Sequence, residues 1–212
     1  MATTTDRRVR RTREALHRAL IELMIERGYE RVTVSDIIDR ADVGRSTFYA
    51  HYRDKDDLLI SSCTEFLRRE IARTRTARDA PWAPVRVMIG LAAAYPDVYQ
   101  ALIGPKSSAV VLRSYQQTVA DILHEHLDRR LDMPADELAG SITFLSWGLI
   151  GLLGSVIDQT DPTLPATAWR RFESLCTAGL ARHVPRVAIA RTSADNSVPR
   201  PQTAHGAPPS RD

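Results

Sequence analysis

The chain has 212 residues, of which 43% are hydrophobic and 26% charged. That is an ordinary soluble globular composition, enough for one large domain or a small module joined to a larger one, with a core that needs no staples. Its net charge of +3 and isoelectric point of 9.1 are only mildly basic, and its two cysteines, Cys63 and Cys176, lie in apolar-periodic stretches without metal-ligand spacing. This excludes a disulfide framework and suits reduced, buried thiols in a cytoplasm.

The first segment, MATTTDRRVRRTRE, has basic residues with no apolar run behind them, so no secretory leader is expected. Six arginines lie between Arg7 and Arg18 against one acid, Glu14. From Arg7 to Arg27 the spacing predicts an amphipathic helix, with Leu16, Leu20, Leu23 and Met24 as its apolar stripe. Gly28 is placed to end it in a left-handed conformation. Thr33-Val-Ser-Asp36 reads as a helix start, with Thr33 as N-cap and Asp36 facing back to it. The short helix that follows buries Ile37, Ile38 and Ala41. Asp42-Val43-Gly44 is a tight turn, and a third short helix is expected from Arg45 to His51. Asp54 caps a fourth, whose stripe is Leu59, Cys63, Phe66, Leu67 and Ile71.

Prolines divide the remainder. Helices are expected over Pro81–Ala94, Pro96–Ile103, Ser107–Leu131, Ala135–Gln159 and Thr163–His183. The long one at 107–131 carries Val111, Tyr115, Thr118, Val119, Ile122 and His126 on one face. The stretch from Gly140 to Ile157 nears membrane-span length but contains Ser141, Thr143, Ser146 and several glycines, which favours a helix buried between helices. No stretch alternates like a strand bounded by hairpin turns. The fold class is therefore all-α, about nine helices. Residues 1–55 form an N-terminal helix-turn-helix domain, 56–186 a larger C-terminal helical domain, and 187–212, rich in Pro, Ser, Ala and Gly, a disordered tail.

Short helix, glycine turn, short helix is the pattern that places a second helix in the major groove of DNA. At 100° per residue Phe48 and Tyr52 share one side of that helix, suited to anchoring it on Leu20, Ile37 and Leu58. Ser46 and Tyr49 point elsewhere. On spacing alone, a small packing helix fits the same residues.

The run Thr33-Val-Ser-Asp-Ile-Ile, then Ala41-Asp-Val-Gly-Arg-Ser-Thr-Phe-Tyr-Ala-His-Tyr52, then Asp54-Lys-Asp-Asp-Leu-Leu59 resembles the N-terminal domain of the TetR/AcrR family of repressors, over roughly Arg8 to Leu67. The resemblance implies that Thr33 and Lys55 clamp phosphates, that Ser46, Thr47 and Tyr49 meet base edges or backbone, and that His51 holds a phosphate. Ser35 stands where the family often has arginine, and Ala50 where it has a bulky or basic residue. Those departures remove long-reach contacts and make Arg45 the main candidate for direct readout, since a guanidinium grips guanine with two bonds. Arg7, Arg8, Arg10, Arg11 and Arg13 read either as a solvated helix end or as an arm on DNA backbone.

The resemblance also implies that the C-terminal helices bind an effector and dimerise. Gly148, Gly151 and Gly154 recur every third residue, each costing ~1 kcal/mol against alanine in a helix. The compensation expected is close approach of another backbone, with Trp169, Phe172 and Cys176 of the last helix joining a four-helix bundle across a two-fold axis. Tyr95, Tyr99, Tyr115, His126, Phe144 and Trp147 are candidate lining for a pocket of apolar and aromatic character. His124 and Asp128 share a face, but two ligands do not make a catalytic zinc site, which needs three. With no phosphate loop or nucleophile elbow, no enzyme, metal or cofactor is expected. The expected function is a ligand-responsive repressor, homodimeric on a palindromic operator. An activator or non-inducible regulator of the same fold is the alternative, and a helical protein-binding adaptor a more distant one.

Overall fold

The computed structural model describes residues 4–74, 82–158 and 164–180. Nine α-helices and one 3-10 turn, with no strand, occur among the described residues. They are α1 (Thr4–Arg27), α2 (Val34–Ala41), α3 (Arg45–Tyr49), α4 (Lys55–Arg73), α5 (Ala83–Ala94), α6 (Pro96–Ile103), α7 (Ala109–Leu127), α8 (Ala135–Ile157) and α9 (Leu164–Leu180). The expected tail at 187–212 and the chain around Pro81 lie outside the described residues.

The α1 stripe of Leu16, Leu20, Leu23 and Met24 is buried as its spacing requires. Gly28 ends the helix at φ 79°, a positive value that disfavours any side chain, though its ψ of 146° is extended rather than left-handed helical. In the next turn the left-handed position falls on Asp42 (φ 52°, ψ 49°), whereas Gly44 is extended at φ −65°. Aspartate tolerates this conformation better than most residues. Helix α3 is shorter than expected, ending at Tyr49, and His51 falls in the turn beyond it.

Leu16, Leu20, Ile37, Phe48, Tyr52, Leu58 and Leu59 form the core of the N-terminal three-helix unit. The boundary placed after residue 55 falls in the first turn of α4, and the apolar core runs on without a break into the C-terminal helices. Helix α4 thus belongs to both halves. A polar seam adds to the joint: Tyr29 and Ser108 both donate to Asp56, while Ser108 also caps α7 through Val111 N–H at 3.1 Å.

Helix α8 is long and apolar enough to cross a membrane by length and composition. It is not buried all round. Leu138, Ile142, Leu145, Leu149, Leu153 and Val156 pack inward, against α5, α6, α7 and α9. The opposite face is open: Phe144 is 78% exposed, Trp147 44%, and Gly140, Gly148, Gly151 and Ser155 lie beside them. Gly154 is half-buried at the edge of this face. On α9, Phe172 and Cys176 are not on a free face. They are buried, Phe172 edge-on to Trp82 with ring centroids 5.5 Å apart, and half-buried Trp169 lies under Arg86. The exposed apolar residue of α9 is Leu175.

Candidate nucleic-acid interface

Helix α3 has barely more than one turn and holds its place through rings. Phe48 is fully buried, edge-on to Tyr49 at 5.3 Å and tilted against Tyr52 at 5.9 Å. Tyr52 is held from α1 by Arg13, whose Nε donates to its hydroxyl at 3.1 Å. That bond and Glu65 at 3.4 Å engage Arg13, which stays exposed at the surface, so it braces Tyr52 beyond α3.

With Phe48 and Tyr52 turned inward, Arg45, Ser46 and Tyr49 are left on the outer surface. Arg45 reaches over the Tyr49 ring, 5.9 Å from its centroid. A guanidinium stacked on an aromatic face keeps its N–H fork free to meet a base edge. Thr47 is half-buried, with Oγ1 turned toward Gly44, and His51 is half-buried beside Tyr52. Ser35 is exposed on the first turn of α2.

The start of α2 is built from a reciprocal pair. Thr33 N–H and Oγ1 donate to Asp36 at 2.8 and 2.6 Å, and Asp36 N–H donates to Thr33 Oγ1 at 3.2 Å. Arg27, at the end of α1, closes on Asp36 at 2.7 Å. The Thr33 bonds first, and Arg27 with them, hold the Asp36 carboxyl down at about 2. The unfolded chain titrates near the ordinary 3.8, so this contribution is complete above about pH 4 and is lost as pH falls through about 2. Between those limits Asp36→Asn should lose less stability with acid than the native chain, as read by circular dichroism. Parallel acid-unfolding curves would mean the cap adds nothing.

Lys55 is placed differently from the expected phosphate clamp. Its ammonium donates to the carbonyls of Val32 at 2.9 Å and Tyr29 at 3.1 Å, and lies 4.4 Å from the Tyr29 ring centroid. It fixes the 29–33 turn, and with it Thr33, before any phosphate arrives. Arg7, Arg8, Arg10 and Arg11 are a helical extension rather than an extended arm; Arg7, Arg8 and Arg11 are exposed, and Arg10 faces Glu14 at 3.6 Å.

A second feature lies where α1 meets the C-terminal helices. A partly open cavity of about 150 Å³ lies among α1, α4, α5, α6 and α7. Tyr95, Tyr99 and Tyr115 line it, together with Cys63 and Phe66. His126 does not, sitting instead in a separate shallow recess with Pro84 and Ile122. Phe144 and Trp147 are on the open face of α8. Among the lining residues that sequence reasoning missed are His17 and Ile21 of α1. Four apart, they share a side flanking the Leu16–Leu20 stripe, a signal that becomes meaningful only once α1 is seen to reach the C-terminal half. Burial lowers the tendency of His17 to protonate, raises the Tyr99 and Tyr115 hydroxyls, and pushes the Cys63 thiol up to about 12.

Residues 16–61 match the family model described as bacterial regulatory proteins, tetR family. Over 67 residues, 29% of this chain, the sequence is 43% identical to the uncharacterized HTH-type transcriptional regulator YxbF of Bacillus subtilis, covering 18% of that protein. Over 84 residues, 40% of this chain, it is 31% identical to the HTH-type transcriptional regulator TcmR of Streptomyces glaucescens, covering 37% of it. The matched segments thus span well under half the length of either relative. In three dimensions the chain is similar to a TetR transcriptional regulator from Streptococcus agalactiae, with a TM-score of 0.57 and 23% identity over 81% of this chain and 96% of that one.

Proposed function

We propose that this chain, which belongs to the TetR family of transcriptional regulators, is a repressor that holds a palindromic DNA operator as a homodimer and releases it when a small apolar or aromatic molecule binds. The family is one of regulators rather than enzymes, and such a protein works in the cytoplasm, beside bacterial DNA.

The observation that carries the reading is that Phe48 of α3, with Tyr52 just beyond it, is buried, while Arg45, Ser46 and Tyr49 of α3 are left on the outer side. The rings hold the helix rigid while the outer side reads. Arg45 takes a guanine edge, Tyr49 meets a phosphate or thymine methyl, and Ser46 and Thr47 supply short donors at the helix start. Thr33 and Ser35, at the positive end of α2, face the backbone. His51 holds a phosphate beyond α3. The exposed arginines at the start of α1 add charge whose effect falls with salt.

The homodimer reading is supported by the open face of α8. Gly140, Gly148 and Gly151 lie on it with Phe144 and Trp147, and a Cβ added at any of these glycines meets nothing within 4 Å. Packing inside one copy therefore gives no reason for glycine there, whereas close approach of a second α8 does. Two copies related by a two-fold axis also supply two reading helices for a palindrome. The cavity supports the effector: a ligand shifts the dimer between spacings only by binding one more tightly than the other.

The test is a titration of purified protein onto DNA flanking its own gene, over a range of salt, beside Tyr49→Ala. Tyr49 is 49% exposed, so the variant should fold normally yet bind the operator about tenfold or more weakly, in keeping with ~1–3 kcal/mol per base contact at each half-site. Equal binding by the variant, or native binding indifferent to sequence, would overturn the reading of α3.

A further inference from the structure

The cavity between α1 and the C-terminal helices has more chemical character than an apolar void. Tyr115 is 1% exposed, and its buried hydroxyl lies beside that of Tyr99 without a well-formed hydrogen bond to it, the two rings meeting edge-on at 5.9 Å. His17 Nδ1 is likewise buried without a partner. Both residues line the cavity. A buried polar atom left unpaired is costly, and native proteins leave few of them. Two on the wall of one cavity point to a molecule that pairs with them.

The remaining wall limits what that molecule is. Ile21, Leu67, Leu91, Val98 and Leu102 are aliphatic, and no Asp, Glu, Lys or Arg is among the lining residues. Burial opposes protonation of His17 and opposes loss of a proton from Tyr99, Tyr115 and Cys63, so these four stay neutral at pH 7. A carboxylate or ammonium would enter with nothing to balance it. The volume, about 150 Å³, matches that of an engineered apolar cavity that takes benzene. Two aromatic pairs, Phe66 edge-on to Tyr95 at 5.8 Å and Tyr99 edge-on to Tyr115, contribute rings to the wall, which favours a ring as guest.

We propose that the cavity binds an uncharged, single-ring compound carrying a hydroxyl group, of the phenol class, with Tyr115 Oη and His17 Nδ1 as its hydrogen-bonding anchors. This rests on the effector reading above and names its chemistry. It also assigns a route for the signal. His17 and Ile21 stand on α1, whose Leu16, Leu20 and Leu23 belong to the core that holds α2 and α3. A guest bonded to His17 therefore acts on the reading unit directly. His17, Ile21 and Phe66 also line the open groove between α1 and α4, so they stand between that groove and the cavity.

The experiment is calorimetric titration of the full-length protein with phenol, toluene and benzoate, repeated on Tyr115→Phe and His17→Leu, with operator binding measured on the same preparations. Phenol should bind with a Kd of about 1 mM or tighter. Toluene, lacking the hydroxyl, and benzoate, carrying a charge, should each bind at least about tenfold more weakly. Tyr115→Phe removes an unpaired hydroxyl, so its melting temperature should not fall, yet its preference for phenol over toluene should drop about fivefold or more. His17→Leu should lose the same preference and, at saturating phenol, hold the operator more tightly than the native chain does. Toluene binding as well as phenol, benzoate binding best, or variants that keep the native preference would overturn the proposal. So would the absence of binding by all three in protein that still recognises its operator, and that result would leave the DNA-binding reading standing. Failure of operator recognition with intact phenol selectivity would overturn the repressor reading and leave the cavity's chemistry in place.

Discussion

Phe48→Ala should destabilise the folded chain by about 3–5 kcal/mol, the range for removing a fully buried phenylalanine. Phe48 has no exposed surface and stands between Tyr49 and Tyr52 at the centre of the N-terminal unit. Alanine would leave a hole among Leu20, Ile37 and Leu58, each of which is itself fully buried. A three-turn neighbourhood around a one-turn helix has little else with which to close that hole. For a chain of this length the loss corresponds to a fall in melting temperature of roughly 6–20 °C. Because the core runs unbroken into the C-terminal helices, the loss should register in global urea unfolding, and operator binding should go with it. A loss below about 1 kcal/mol would mean that α3 is not held by its rings. Tyr49→Ala is the contrasting case, since it removes a ring from the outer side and should spare stability while weakening DNA binding.

Phe144→Glu should separate the proposed dimer. Phe144 is 78% exposed in one copy, so a surface substitution there should change the stability of the monomer by no more than about 0.5 kcal/mol. Across a two-fold axis the change is made twice. Losing the burial of two phenylalanine side chains at ~1.5–3 kcal/mol each removes about 3–6 kcal/mol from association, a factor of roughly 10² to 10⁴ in the dimer dissociation constant. Two like charges brought together add to this. Analytical ultracentrifugation should show monomer at concentrations where the native chain is dimeric, with palindromic operator binding weakened in step. A dimer of unchanged strength would place the interface on another face. The native chain sedimenting as a monomer at every concentration would remove the homodimer altogether.

Much of the N-terminal unit was legible in residue order because its determinants are local. A Thr33–Asp36 cap is made by residues three apart. The α1 stripe and the Phe48–Tyr52 pair follow from helical periodicity, so their inward faces could be read before any packing was known. Even here, two local details went elsewhere. Gly28 ends α1 with an extended ψ rather than a left-handed helical one, and α3 stops two residues early, at Tyr49. A turn's conformation depends on where both flanking helices must go, which its own residue types do not state.

The long-range roles were decided by tertiary structure. Lys55 looks in sequence like a cation beside a cap, free for phosphate. Only the return of the 29–32 turn beside α4 brings carbonyl oxygens to its ammonium. Arg13 reads as one of a basic cluster until Tyr52, 39 positions away, arrives at its guanidinium. Phe172 and Cys176 have the same apolar spacing whether they meet a second copy or their own α5, and contact with Trp82 settled that they face inward. Phe144 and Trp147, which composition would put inside, lie outside because α8 has more apolar surface than its neighbours cover. The cavity is the extreme case, since His17, Cys63, Tyr99 and Tyr115 come from four helices. The sequence by itself determined which helices form, where they are capped and which single faces they bury, because those depend on contacts within a few residues. Which polar groups are consumed inside the fold, and which are left to meet DNA, a second copy or a guest, depended on contacts between residues distant along the chain, and those exist only once the helices have packed.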